Sequence, residues 1–129
     1  MAHHTDLGRA GEETAATYLE EKGFKIIDRN YRFEKGELDL VCFLPAERYE
    51  DGGELVFVEV KTRRGKSFGE AVDAISRTKQ RLIMRTSEAY LHERRLEGSP
   101  ARFDVVCIDW EGEEPQIEHI EHAFGMVFG

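Results

Sequence analysis

A chain of 129 residues, 40% hydrophobic and 34% charged, suits one globular unit: a single domain over residues 1–129, with its core from about 7 to 124. No apolar run approaches the ~20 residues of a membrane span and no basic-then-apolar leader opens the sequence, so a cytoplasmic protein with no membrane partner is expected. A net charge of −8 argues against indiscriminate binding to a polyanion, although from Lys61 to Arg85 eight basic residues stand against two acidic ones, Glu70 and Asp73.

Thr5 or Asp6 can cap a first helix running to about Lys22, with Leu7, Gly11, Thr14, Ala15 and Tyr18 at helical spacing and Gly23 just past its end. Phe24 to Phe33 reads as a first strand, Glu34-Lys35-Gly36 as a tight turn, and Glu37 to about Leu44 as a second strand. Pro45 to Gly53 is polar and turn-rich, hence a loop. A third strand, about Glu54 to Thr62, leads into a basic loop from Arg63 to Gly69 whose one aromatic, Phe68, is either a core plug or a base-stacking surface. Ser76 can cap a second helix ending near Leu96, with Leu82, Ile83, Thr86, Ala89 and Tyr90 facing inward. Arg102 to Ile108 is a fourth strand, Glu111 to Pro115 a turn, and Gln116 to Phe124 a fifth strand.

Helix, three strands, helix, two strands predicts an α/β sandwich, a mixed central sheet flanked by helices. The short turn at Gly36 favours antiparallel pairing of the first two strands. The long second helix lets the fourth strand run parallel to the third. Cys42 and Cys107 sit in apolar runs and are expected as buried free thiols. His119 and His122 are not expected to form a zinc site.

Two runs carry chemistry: Gly36-Glu37-Leu38-Asp39-Leu40-Val41 and Val56-Phe57-Val58-Glu59-Val60-Lys61. Both suit a pleated strand, and both are broken by charge where a buried strand should have none. Residues two apart share a face, so Glu59 and Lys61 point the same way. If the runs pair, Asp39 stands beside Glu59, and two close carboxylates call for a cation. Lys61 supplies one charge, and Mg²⁺ is the kind of ion such hard oxygen ligands suit. Taken alone, an E-x-K pair is most often an exposed ion pair. Glu12, on the flank of the first helix's apolar stripe, can lean over the sheet toward Asp39, or simply favour the helix dipole. Lys79 belongs to the inward stripe of the second helix, and Asp104 interrupts an apolar strand, where it can support Lys79 or an arginine.

Together with Gly8-Arg9-x-Gly11-Glu12, Asn30-Tyr31-Arg32, Phe68-Gly69, Arg102-Phe103-Asp104-Val105 and Ala123-Phe124, these runs make the chain resemble the YraN family of small bacterial proteins. That family is similar to the Holliday-junction-resolvase branch of the PD-(D/E)xK nucleases. The resemblance implies a restriction-endonuclease-like core and Mg²⁺- or Mn²⁺-dependent endonuclease activity on DNA, with branched or structured DNA as the expected partner and a homodimer as a further expectation. It implies catalytic roles for Glu12, Asp39, Glu59 and Lys61, and a metal site formed by Asp39, Glu59, the Val60 carbonyl and Glu12. The helix residue of resolvase-like members corresponds to Lys79 or, less well, to Gln80, with Asp104 in support. Arg63, Arg64, Lys66 and Lys79 are the expected contacts to the DNA backbone. Leu38 stands where the superfamily signature has proline, and the Pro45 to Gly53 loop is longer than the usual connection. The rival reading is a nuclease fold kept as a module that binds nucleic acid or a protein partner, which the acidic balance favours.

Overall fold

A computed structural model of the chain describes residues 6–64 and 75–125, which leaves Thr5, Lys66 and Phe68 outside the described residues. The elements follow the predicted order. They are α1 (Asp6–Glu21), β1 (Lys25–Phe33), β2 (Gly36–Pro45), a short 3₁₀ turn (Tyr49–Asp51), β3 (Gly53–Arg64), α2 (Arg77–Glu93), β4 (Ala101–Glu111) and β5 (Glu114–Phe124). The sheet order is β1-β2-β3-β4-β5, antiparallel throughout except for the parallel pair β3 and β4. This is the mixed α/β sheet that the sequence predicts.

β3 is central, and its alternation builds two layers. Leu55 and Phe57 face α2, joining Leu38, Val41, Ile83, Tyr90, Leu91, Phe103, Val105 and Cys107. Val56 and Val58 face α1, joining Ala15, Ala16, Leu19, Leu40, Cys42, Val106 and Ile108. Each such Val, Leu or Phe contributes ~1.5–3 kcal/mol by leaving water, so β3 is held from both sides.

Two glycines set how closely the helices lie on the sheet. A Cβ at Gly11 of α1 would fall 2.0 Å from Thr62 Oγ1 on β3, and one at Gly36 of β2 would fall 1.8 Å from Thr86 Oγ1 on α2. Each helix therefore rests almost backbone to sheet at one crossing, and the Gly11 crossing leaves Glu12 beside the far part of β3. Ser76 caps α2 as predicted, its Oγ accepting the Lys79 N–H at 3.1 Å.

The strands run beyond their predicted ends. Arg63 and Arg64, expected in a loop, are the last residues of β3, because they pair with Asp109 and Trp110 of β4. The parallel partner supplies a ladder that composition does not reveal. Cys42 and Cys107 are buried free thiols. Among the described residues no helix is long and apolar enough to cross a membrane.

Candidate functional site

The decisive local feature is a fork in the sheet. β2 pairs with β3 from Pro45↔Gly53 to Leu40↔Val58, and there the ladder stops, while β3 continues alongside β4. One more step of the same register would set Asp39 against Glu59. Leu38 packs into the α2 layer and Leu40 into the α1 layer, although residues two apart on a regular strand share a face. The strand therefore rolls over at Asp39. Its carboxylate turns toward β3, where Oδ2 accepts the Val60 N–H at 2.7 Å, a bond that stands in for the missing ladder partner.

Asp39 and Glu59 thereby come close enough to hydrogen-bond one another, with residue exposures of only 8% and 7%. Burial, and then the Glu59 charge, hold the Asp39 carboxyl well above its ordinary pKa; the Val60 N–H works against them and Glu12 adds to them. Burial also raises Glu59, against the opposing pull of Lys79, the Asp39 hydrogen bond and Lys61. Lys79 Nζ lies 4.0 Å from Glu59 Oε1. Half-buried Glu12 reaches the group from α1, its Oε1 accepting a 3.2 Å hydrogen bond from Asn30 Nδ2. Glu12, Asp39, Glu59, Lys61 and Lys79 thus gather from α1, β2, β3 and α2 around the fork.

Other expected residues sit elsewhere. Gln80 donates its amide to the Ile75 carbonyl at 3.0 Å and serves the helix start. Arg63 Nε is 3.4 Å from the buried carboxylate of Asp109, so this guanidinium is engaged within the protein, whereas Arg64 is exposed. Asp104 does not support Lys79. It points into the α1 layer, on the face opposite Glu59, where Arg102 Nε donates to Oδ1 at 3.0 Å and His119 Nε2 lies 2.8 Å from Oδ2. Burial pushes the Asp104 carboxyl up, but His119 and Arg102 outweigh it and hold the group below its ordinary value.

His119 is the residue that sequence reasoning missed. Its Nδ1 meets Tyr18 Oη at 3.2 Å, so a polar chain runs from Tyr18 through His119 and Asp104 to Arg102. The ligand atoms of Asp104, His119 and Glu121 lie within 4.8 Å of one another, and this cluster could hold a metal ion. Arg102 already occupies it, donating to Asp104, to Glu54 at 2.8 Å and to Glu121 at 3.1 Å. A guanidinium bound to the same carboxylates supplies the positive charge an ion would bring. Among the described residues the Asp39–Glu59 pair has no cation in such direct contact, the Lys79 ammonium standing 4.0 Å away.

The model of the uncharacterised protein family UPF0102 matches residues 11–108. The chain belongs to that family. A UPF0102 protein of Syntrophotalea carbinolica is 48% identical over 120 residues, 93% of this chain and 92% of the relative. Another, from Rhodococcus opacus, is 46% identical over 125 residues, 96% of this chain and 100% of the relative. One from Geobacter metallireducens is 41% identical over 126 residues, 98% of each. UPF0102 is the YraN family that the sequence motifs resemble. Among solved structures, SfsA of Pyrococcus furiosus in complex with Ca²⁺ overlaps 88% of this chain and 63% of its own, with 12% identity and a TM-score of 0.37. An overlap that loose carries no argument about this chain.

Proposed function

We propose that this UPF0102 protein is a divalent-metal-dependent endonuclease that hydrolyses phosphodiester bonds in DNA. The observation that carries the reading is the pair of buried carboxyls at the fork, both raised in pKa, with two lysines beside them. With Glu12 the group sets three carboxyls against the two ammoniums of Lys61 and Lys79, one acidic group more than two self-contained ion pairs would need, and a buried charge left uncompensated is costly. That excess is what a bound cation would take up. The donors fit a hard ion: Asp39, Glu59 and the Val60 carbonyl would hold Mg²⁺ or Mn²⁺, with Glu12 contributing through water. Such an ion, when bound, polarises the scissile phosphate and lowers the pKa of a bound water.

The chain's own groups do the rest. Lys61 shares the Glu59 face of β3 and presents its ammonium where it orients the attacking water and offsets charge gathering on the phosphorane. Lys79, whose ammonium lies 4.0 Å from Glu59, would be available to a phosphate if that carboxylate held an ion. Arg64 and Lys66 are the proposed contacts to the DNA backbone. Arg63, held by Asp109, acts by keeping the end of β3 in place.

The acidic balance of −8 makes arbitrary duplex a poor substrate, so branched or structured DNA is the favoured one, and a two-fold dimer would suit a branch. The test is cleavage of linear duplex, flap and four-way-junction DNA with Mg²⁺, with Mn²⁺ and with chelator, beside folded Lys61→Ala. Metal-dependent cleavage, fastest on a branched form and lost in Lys61→Ala, is the expected result. DNA binding without cleavage of any form would favour the silent binding module instead.

A further inference from the structure

β1 contains a residue in a conformation that a strand does not normally allow. Asn30 has φ 51°, in the left-handed region, inside β1. The pairs Arg29↔Leu40 and Tyr31↔Leu38 on either side set it opposite Asp39, at the point where β2 rolls over. Most side chains are strained at such a φ, and asparagine is among the few that tolerate it. The result of this local departure is a specific contact, Asn30 Nδ2 to Glu12 Oε1 at 3.2 Å, across from β1 to α1. An ionised carboxylate only accepts, so the amide nitrogen is the end that must face it.

We infer that Asn30 is a positioning residue for the metal site, fixing the Glu12 carboxylate over the Asp39–Glu59 pair. A glutamate on the flank of α1 has three side-chain torsions to settle, and half-buried Glu12 must approach two like charges. A hydrogen bond from the Asn30 amide to one carboxylate oxygen fixes the side chain on the side of the pair, and the amide itself adds no charge. Backbone strain kept at such a point is typical of sites that must be preorganised, and partners of this kind affect metal affinity by ~10–100-fold. The inference rests on the proposed metal-dependent function and adds a residue to it.

The experiment is calorimetric titration of Mn²⁺ into the metal-free full chain, for wild type, Asn30→Gly, Glu12→Gln and the double variant. Glycine accepts the same φ, so Asn30→Gly removes the amide without adding strain; a melting curve accompanies each variant. Asn30→Gly is expected to weaken Mn²⁺ binding by ~10-fold, and the double variant to be no weaker than Glu12→Gln alone, because Asn30 acts through Glu12. Wild-type affinity in folded Asn30→Gly, or independent and additive losses in the double variant, would overturn the role of Asn30. If wild type binds and cleaves in that case, the nuclease reading survives. A wild-type chain that takes up no Mn²⁺ overturns both.

Discussion

Replacing Asp39 by asparagine should make the protein more stable in chelator while abolishing the proposed nuclease activity. Asp39 and Glu59 are 8% and 7% exposed and share one spot, and both carboxyls are raised in pKa, chiefly by burial. A folded-state pKa above the unfolded one means that the folded protein holds its proton more tightly. The stability gained is complete below the ordinary carboxylate range and is lost as pH climbs through the folded value, at ~1.4 kcal/mol for each pH unit that separates the two. At pH 7.5 without metal, the fork therefore subtracts from stability. Asparagine removes one of the two like charges, keeps the carbonyl oxygen that accepts the Val60 N–H, and has nearly the same volume. Lys79, 4.0 Å from Glu59, already offsets part of the charge, which places the gain at about 1–3 kcal/mol, the usual size of a single-site effect. For a chain of this length that is ~3–5 °C in Tm per kcal/mol. The assay is thermal melting in chelator from pH 4 to pH 8. The Asp39→Asn protein should melt higher at pH 8, with the difference shrinking toward pH 4 as wild type takes up its protons. An equal or lower Tm for Asp39→Asn at pH 8, or a pH-independent difference, would refute the electrostatic account of the fork.

The Asp104 group should behave in the opposite sense. Its carboxyl is held below the ordinary 3.8, so it contributes stability above that value and loses it as pH falls through the folded one. Asp104→Asn, which strips the Arg102 guanidinium, 9% exposed, of its main partner, is expected to cost about 3 kcal/mol by denaturant melting at pH 7. Gly11→Ala should lose ~1–3 kcal/mol through the Thr62 clash, and Thr62→Ala in the same chain should restore part of it, by the same measurement. Arg64→Ala should reduce the log–log salt slope of DNA binding by ~0.9, whereas Arg63→Ala should lower the melting temperature, because it leaves Asp109 buried without its cation.

What the sequence made legible was governed by local rules. Ser76 caps its helix, Gly36 closes its hairpin, and the long α2 crossover returns the chain parallel to β3, each for a reason readable within a few residues. The buried carboxyl pair was legible because Asp39 and Glu59 interrupt apolar strands, and charge in such a run needs a partner. The unread features depend on distant partners. Arg63 and Arg64 join a strand only because Asp109 and Trp110 lie beside them. Asp104 does support an arginine, one of its two sequence readings, but that the arginine is Arg102 and that His119 joins it follow from strand parity, which puts Asp104 in the α1 layer, and from the β5 pairing. The roll of β2 at Asp39 and the left-handed Asn30 opposite it arise where the strands diverge; asparagine tolerates that φ, but its presence in an extended run does not say that it adopts it.

The central claim is that Asp39 and Glu59 form a metal-dependent hydrolytic site. Its most direct test is single-turnover cleavage of labelled four-way-junction DNA by wild type and Asp39→Asn at equal concentration, each in Mg²⁺ and in chelator. The expected result is cleavage by wild type in Mg²⁺ alone, and none by Asp39→Asn although that protein is folded and melts higher. Equal cleavage by the two proteins, or cleavage undiminished in chelator, would contradict it.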